Sequence, residues 1–144
     1  MNLTKFDEDF IKFLINSKES KTLDFKQKVT SKEKIAKTMA AMANIEGGFI
    51  LIGLSDQKKI IGIDPEEEKF MVESANEIYC TPRVSLSCEA IVWQDSESEK
   101  KYKEEKNLLL VTIKKSAGPK IYTSDDKGNR KLYIRVGDQT RLIS

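Results

Sequence analysis

The stretch from Asn44 to Gly53 constrains the fold of this chain more than any other part of its sequence. Gly47 and Gly48 break the alanine-rich helical pattern before them and lead into the apolar run 49–54. A continuous apolar run of this length is typical of a strand that is buried on both faces. No Walker lysine and no Gly-x-Gly-x-x-Gly pattern accompanies the glycines. They therefore predict a tight helix-to-strand turn rather than a phosphate-binding loop.

The rest of the pattern predicts one domain over residues 1–144, of mixed α/β class, with a central mixed β-sheet and about three helices. Residues 1–18 form an N-terminal helical extension in this prediction, and the polar stretch Gln94–Lys106 forms an exposed loop. Helices are predicted over Asp9–Asn16 (with Phe10, Phe13 and Leu14 on one apolar stripe), from an N-cap at Thr30 to about Asn44, and from Asp64–Pro65 to about Tyr79. Further strands are predicted at Leu23–Lys26, Ile60–Ile63, Val84–Trp93, Leu108–Ile113, Ile121–Thr123 and Lys131–Val136.

The amino-acid composition narrows the chemistry that this chain can perform. It has no histidine, which excludes a Ser–His or Cys–His catalytic unit and any imidazole metal ligand. Its two cysteines cannot by themselves complete a structural zinc site, and they fit a reducing compartment. No apolar run approaches the roughly 20 residues that a bilayer requires, and the N-terminus has no apolar signal region. We therefore expect a cytoplasmic protein without membrane contact, whose chemistry uses carboxylates, lysines, arginines, hydroxyls or backbone amides.

The formal net charge of +2 conceals an uneven distribution of charge along the chain. Lys18–Ala41 holds seven basic and three acidic residues, Pro65–Glu105 holds five and eleven, and Lys106–Ser144 holds nine and three. If the two basic segments converge on one face, that face would attract phosphates. Solvated surface lysines are the alternative, and composition alone leaves both interpretations open.

Three carboxylates form the first candidate site. Glu19 lies just before the predicted first strand, and Asp24 and Lys26 share one face of that strand because strand side chains repeat with a period of two. Asp56 follows the buried strand at its carboxyl end, where ligands commonly bind in α/β sheets. If the two strands pair, Glu19, Asp24 and Asp56 could converge and bind Mg²⁺ or Mn²⁺. The alternative is that Asp24 and Lys26 are ordinary surface charges and that Asp56 belongs to a hairpin turn.

The C-terminal segment supplies the second candidate site, which would bind phosphates. Arg135 and Arg141 offer bidentate donors for phosphate, and Tyr133 could stack on a base or simply pack. Tyr133 and Arg135 alternate with Ile134 and Val136, which predicts one apolar face and one face that can meet a ligand. A terminal hairpin with solvated arginines is the alternative.

The order and spacing of several motifs resemble the Schlafen-type Alba-like domain, also known as the divergent AAA-associated DNA-binding domain. The resemblance covers roughly Glu19 to Arg141. Its most specific part is the Ala-Asn-x-Glu-Gly-Gly core followed by a buried strand and Ile-Gly. The matching residues are Glu19-Ser20, Leu23–Lys26, Met42–Gly53, Ile60–Ile63 and Tyr133–Asp138.

This resemblance implies a domain that binds DNA or RNA. In some members it implies a metal-dependent endoribonuclease that acts on structured RNA such as transfer RNA, with catalytic carboxylates that match Glu19, Asp24 and Asp56. Asp24 stands where the family usually has glutamate, and its shorter arm could displace a metal by about one C–C bond. The family nucleases use more than one copy of the domain to embrace RNA, so a lone copy would need to form a homodimer or would bind more weakly. Many bacterial members carry a winged helix and act as transcription regulators.

Three functions follow as expectations. The first is a nucleic-acid-binding domain of low base specificity, which needs no cofactor and uses phosphate-led contacts from Lys21, Lys26, Lys120, Tyr133, Arg135 and Arg141. The second is an Mg²⁺- or Mn²⁺-dependent endoribonuclease that uses Glu19, Asp24 and Asp56 as metal ligands and catalytic groups, with Lys21 or Lys26 on the phosphate. The third is a nucleotide-binding or protein-interaction domain, against which the missing Walker motif argues.

Overall fold

The computed structural model of this protein describes residues 5–94 and 105–144. Most of the predicted loop Gln94–Lys106 therefore lies outside the described residues. Within them the chain forms three helices, α1 (Lys5–Ile15), α2 (Lys32–Ile45) and α3 (Pro65–Tyr79). The strands are β1 (Leu23–Lys26), β2 (Gly48–Ile52), β3 (Cys80–Thr81), β4 (Leu86–Gln94), β5 (Glu105–Ile113), β6 (Tyr122–Ser124), β7 (Arg130–Val136) and β8 (Gln139–Leu142).

The central sheet is mixed, as the sequence predicts. Its strand order is β1-β2-β5-β4, with β1 parallel to β2 and the other neighbours antiparallel. The predicted buried strand is β2, and Ile50, Leu51 and Ile52 are all fully buried. β1 pairs with β2 on one side only, so it is an edge strand of this sheet.

The alternation of β2 divides the interior into two apolar clusters. Ile50 and Ile52 belong to the cluster that includes residues of α2 and α3, whereas Leu51 belongs to the cluster that includes α1. The buried stripe of α1 is formed by Ile11 and Leu14. The predicted stripe was wrong at Phe13, which is 65% exposed, because the helix turns this residue away from the sheet. Helices therefore cover both faces of the central sheet.

A second, antiparallel sheet of order β3-β6-β7-β8 packs beside α2, and the sequence did not predict it as a separate sheet. Asn44, near the end of α2, holds it in place. The Asn44 amide donates to the carbonyl oxygens of Ile121 (2.9 Å) and Tyr133 (3.0 Å) and accepts from the Ile121 N–H (2.8 Å). Asn44 is itself buried, so these bonds satisfy a polar group that would otherwise be costly to bury.

The glycine turn between α2 and β2 is architectural, as predicted. Gly47 and Gly48 both have positive φ angles, +76° and +145°. A Cβ atom on Gly48 would overlap the backbone of Thr22, and one on Gly47 would overlap the backbone after β5. Glycine is needed here because the chain both turns in the left-handed region and passes directly against its neighbours.

Two local predictions differ from the structure, two strands were not predicted, and one further prediction agrees. The N-cap of α2 is Ser31, whose hydroxyl accepts from Lys34 N–H, rather than Thr30. Residues 60–63 form no strand: Ile60 makes one bridge to Leu54, and the Ile63 N–H bonds the Asn107 carbonyl across the end of the sheet. The second sheet also adds β3 and β8, which were not predicted as strands. The Asp64 cap of α3, with Pro65 following, is confirmed. Among the described residues, no helix has the length and apolarity needed to cross a bilayer.

Candidate functional site

The edge strand β1 organises the candidate site. Leu23 and Phe25 point into the α1 side of the sheet and join that apolar cluster. Asp24 and Lys26 therefore point to the opposite side, toward α2 and the second sheet, and share one face as predicted. Because β1 has no neighbour on its outer side in the sheet, the Phe25 N–H is open to a side chain there. It donates to the Oε2 atom of Glu19 at 3.2 Å.

Glu19 and Asp24 form a carboxylate pair at this edge. Desolvation and the neighbouring Asp24 carboxylate raise the pKa of Glu19, although the Phe25 N–H and the Lys26 charge oppose the shift. Glu19 is an exposed residue, so the desolvation comes from the side that faces β1. Two carboxylates held this close repel each other, and they gain from a shared proton or cation.

Asp24 is the buried member of the carboxylate pair, with 5% of its side chain exposed. Lys26 Nζ lies 3.2 Å from its Oδ2 atom, and an Arg135 terminal nitrogen lies 3.8 Å from its Oδ1 atom. Asp24 Oδ2 has no hydrogen-bond partner among the described residues, so the Lys26 contact is an ion pair without hydrogen-bond geometry. Two cations from two different elements thus neutralise one buried carboxylate.

Arg135 lies in the interior, and this corrects the predicted orientation of β7. The alternation was right, but the Tyr133–Arg135 face turns inward and Val136, on the other face, is half exposed. The Arg135 guanidinium donates to the Ser20 carbonyl (2.8 Å) and to Thr140 Oγ1 (3.2 Å). The second sheet packs on α2, and this packing places the Arg135 side chain beside Asp24. Arg135 would reach a phosphate only by leaving these partners.

Asp56 is not grouped with the carboxylate pair. It is exposed, in the turn 55–59 that follows β2. In the described parts of the chain, no three acidic or cysteine side chains are grouped so that they could hold one metal ion. The structure thus brings Glu19 and Asp24 together and does not add Asp56 to them as a third ligand. A catalytic role for Asp56 stays a prediction.

A second feature adjoins the carboxylate pair, and we call it the lysine cleft. It is a depression of about 110 Å³ between the end of β1 and the start of α2. Lys26, Lys28 and Lys34 line it together with Val29, Thr30, Ser31, Ile35 and Thr38. Lys28 and Lys34 were missed as site residues. Their only signal in the sequence is the basic excess between Lys18 and Ala41, which does not say which lysines converge.

The other predicted binding residues are distributed elsewhere. Lys21 pairs with Glu46 at 3.1 Å, and Lys120 Nζ donates to the Asn44 carbonyl at 3.3 Å, both near the end of α2. That end lies about 20 Å from the lysine cleft, the length of the helix. Tyr133 lies under the Lys37 ammonium, 5.4 Å from the ring centroid to Nζ. Arg141 is exposed and donates to the Gln139 side chain at 2.8 Å. Their phosphate contacts stay predictions.

The fold and the site define a small mixed α/β domain with a carboxylate pair and a lysine cleft at one edge strand. The family model described as Schlafen, AlbA_2 matches residues 19–144, and the chain belongs to this family. The match begins at Glu19 and includes every element after α1, in agreement with the predicted range. Membership supports a nucleic-acid-associated role.

Solved structures of other proteins share this fold. The crystal structure of the DIP2311 protein from Corynebacterium diphtheriae superposes with a TM-score of 0.54 at 16% sequence identity. The alignment covers 92% of this chain and 25% of that one, so the chain spans a quarter of the length of its structural relative. At this identity the similarity is one of fold alone. No curated protein matches the sequence.

Proposed function

We propose that this domain binds nucleic acid, DNA or RNA, through phosphate contacts and with little base preference. The observation that carries the proposal is the lysine cleft, where Lys26, Lys28 and Lys34 converge beside the hydroxyls of Thr30 and Ser31. Three ammonium groups around one depression attract a polyanion, which gains entropy from the counterions that it releases. Membership of the Schlafen, AlbA_2 family supports the same role. Binding by the cleft needs no cofactor.

Lys26 connects the lysine cleft to the carboxylate pair. In the free protein it balances the charge of Asp24, and 39% of its side chain is exposed. An ammonium group has three donors, so Lys26 can keep its contact with Asp24 and offer another donor to a phosphate. A phosphate in the cleft would therefore lie next to Glu19 and Asp24.

Salt dependence tests the binding proposal. We expect the logarithm of the affinity for total transfer RNA and for a DNA duplex to fall linearly with the logarithm of the salt concentration. The slope should be about −2 to −3 if the three cleft lysines each neutralise one phosphate. Fluorescence polarisation of labelled probes measures this slope. A lack of binding to both probes at low salt, or an affinity that does not change with salt, would overturn the proposal.

A second candidate function is an Mg²⁺- or Mn²⁺-dependent endoribonuclease, and the carboxylate pair specifically favours it. Carboxylate oxygens are the donors that these ions prefer, and Mg²⁺ is commonly held by one or two carboxylates together with substrate phosphates. Glu19 and Asp24 fit this donor set. A cation would have to displace Lys26 from Asp24 Oδ2, and Asp56 would have to come from the neighbouring turn to act as a further ligand. When bound, such an ion activates water and offsets charge on the phosphodiester.

Cleavage of transfer RNA in the presence of Mn²⁺ tests the second function. Glu19→Gln is the informative variant, because its amide oxygen can still accept from the Phe25 N–H while its charge is lost. We expect the parent to cleave and Glu19→Gln to bind without cleaving. Asp56→Asn shows separately whether the turn contributes. Binding by the parent with no cleavage under either metal would refute the nuclease and leave the binding proposal standing.

The remaining expectations rest on the sequence and on the resemblance. Cytoplasmic localisation, a homodimer and a part in transcription regulation stay predictions. No separate observation among the described residues favours the third function, a nucleotide-binding or protein-interaction domain.

A further inference from the structure

A second basic groove lies on the α1 side of the central sheet, away from the lysine cleft. It has a volume of about 310 Å³ and is lined by Lys58, Lys59, Ile60, Trp93 and Lys106. We call it the Trp93 groove. Trp93 and Lys106 are cross-strand partners on β4 and β5, so both side chains rise from the same face of the sheet. The turn after β2 brings Lys58 and Lys59 to the opposite wall.

The walls of the Trp93 groove are well defined. The turn is closed by bonds between Ser55 and Lys59, from Ser55 N–H to the Lys59 carbonyl (2.8 Å) and from Lys59 N–H to Ser55 Oγ (3.1 Å). Lys58 Nζ donates to the Ser17 carbonyl at 2.8 Å, and Lys106 Nζ donates to the Ile60 carbonyl at 3.1 Å. Each of these ammonium groups keeps further donors for a ligand. Among the described residues that line the groove, none is acidic.

Trp93 gives the groove a property that the lysine cleft lacks. Its ring packs against the apolar cluster on the α1 side of the sheet and is partly exposed where it lines the groove. An indole ring fixed on one side and accessible on the other is a platform on which a base can stack. Lysines around such a ring can contact the adjoining phosphates. Duplex bases are already stacked, so this combination favours a single strand.

Lys58, in one wall of the Trp93 groove, lies beside the edge strand β1. Lys58 Nζ lies 5.3 Å from the centroid of the Phe25 ring, and the Phe25 N–H donates to Glu19. Trp93 is on β4 and Phe25 is on β1, three strand spacings apart, and Phe25 is level with Glu89, four residues before Trp93. Strand spacing and rise together put the two residues about 20 Å apart. A strand that left the groove past Lys58 would therefore reach β1 on the α1 side of the sheet.

We propose that the Trp93 groove binds a single-stranded segment of nucleic acid, with one base stacked on Trp93 and its phosphates on Lys58, Lys59 and Lys106. This assignment rests on the proposed nucleic-acid function and deepens it. It gives the domain a preference for single strands, such as loops, over duplexes.

The fluorescence of Trp93 tests the assignment directly, because it is the only tryptophan of the chain. The probes are a single-stranded oligouridylate, a duplex of equal length and inorganic polyphosphate. We expect the oligouridylate to quench Trp93 and the other two probes to change its emission little. Quenching by polyphosphate equal to that by the oligouridylate would refute base stacking and leave a plain anion site.

Variants separate this assignment from the proposed function. Trp93→Leu keeps an apolar side chain on the cluster but removes the stacking platform, and we expect it to weaken oligouridylate binding about tenfold. Trp93→Phe should recover most of that loss, and Lys59→Gln should lower the salt slope by about one. Lys114→Gln, an exposed lysine after β5, is the matched control. If Trp93→Leu binds oligouridylate like the parent and the double variant Lys28→Gln/Lys34→Gln binds it more weakly, the groove assignment fails and the binding proposal survives. If no probe binds at low salt, both fail.

Discussion

Lys26 and Arg135 both contact the Asp24 carboxylate, yet 39% of the Lys26 side chain is exposed against 3% of the Arg135 side chain. Lys26 comes from the same strand as Asp24 and continues into the lysine cleft. Arg135 comes from the second sheet, and its guanidinium also bonds Ser20 and Thr140. The Asp24 carboxylate thus contacts one cation that faces solvent, Lys26, and one that is buried, Arg135.

The difference shows how position in the fold separates structural charges from binding charges. A buried guanidinium that loses its carboxylate stays desolvated, so its contacts contribute to stability. A solvent-facing ammonium contributes little to stability but remains available to a phosphate. Arg135 therefore acts as a tie between β1 and β7, and the lysines of the cleft act on the ligand.

Removing the interior cation has the largest expected effect. Arg135→Met leaves Asp24 with only the partly exposed Lys26, and we expect the free energy of unfolding to fall by about 3 kcal/mol. Urea denaturation measures this change. Arg141→Met is the matched control on the neighbouring strand. Arg141 is exposed and bonds only Gln139 among its described contacts, so a change within about 0.5 kcal/mol is expected.

The double variant Asp24→Asn/Arg135→Met sharpens the result. It removes both charges of the interior pair, so it should be less destabilised than the sum of the two single variants. If Arg135→Met unfolds at the same urea concentration as Arg141→Met, the interior tie contributes nothing and the comparison fails.

Removing two cleft lysines has the next largest effect, and it should fall on binding rather than on stability. We expect Lys28→Gln/Lys34→Gln to weaken binding of transfer RNA about tenfold at moderate salt and to reduce the salt slope by about two. The urea midpoint should stay close to that of the parent, since surface substitutions usually change stability by about 0.5 kcal/mol or less. Polarisation titrations at several salt concentrations measure both quantities.

Lys114→Gln serves again as the control for this double variant. Lys114 follows β5 beside Gly47, at the end of α2 opposite the lysine cleft. An equal loss of affinity in the control would mean that total charge, and not the cleft, governs binding.

The smallest effect concerns the pH dependence of the carboxylate pair. Because the pKa of Glu19 is raised from 4.5, the Glu19 carboxyl group stays protonated to a higher pH in the folded chain than in the unfolded chain. The free energy of unfolding of the parent therefore falls as pH rises from the ordinary Glu pKa through the raised one. Glu19→Gln removes this loss, so the variant should gain stability relative to the parent between about pH 4 and about pH 7.

Urea midpoints of parent and variant at the two pH values check this sign. Burial also raises the pKa of Glu68, although the hydrogen bond from the Val29 N–H opposes this shift. Glu68 is present in both proteins, so its contribution cancels in the difference. A difference that does not change with pH would show that the pKa of Glu19 is not raised in the folded chain.

The predictions from local sequence patterns are confirmed where residues close together in the sequence decide the structure. The apolar run after Gly47 and Gly48 became β2, and the Asp64–Pro65 start became the cap of α3. These features depend on backbone geometry, capping and strand period, which act over a few residues.

Long-range packing decided the rest. The sequence of β7 shows that Arg135 and Val136 lie on opposite faces, but a period of two is the same whichever face is buried. Only the docking of the second sheet on α2, with Asn44 between them, turned Arg135 inward to Asp24. Likewise, Trp93 and Lys106 meet Lys58 and Lys59 because the turn after β2 folds across the end of the sheet.

The sequence by itself determined the mixed α/β class, the glycine turn into the buried strand and the family. The tertiary structure alone decided which cations became interior and which face a ligand. The physical reason is that a charge is recognised in the sequence by its residue type, whereas its role depends on solvent exposure. Exposure is set by packing between elements that are far apart in the chain.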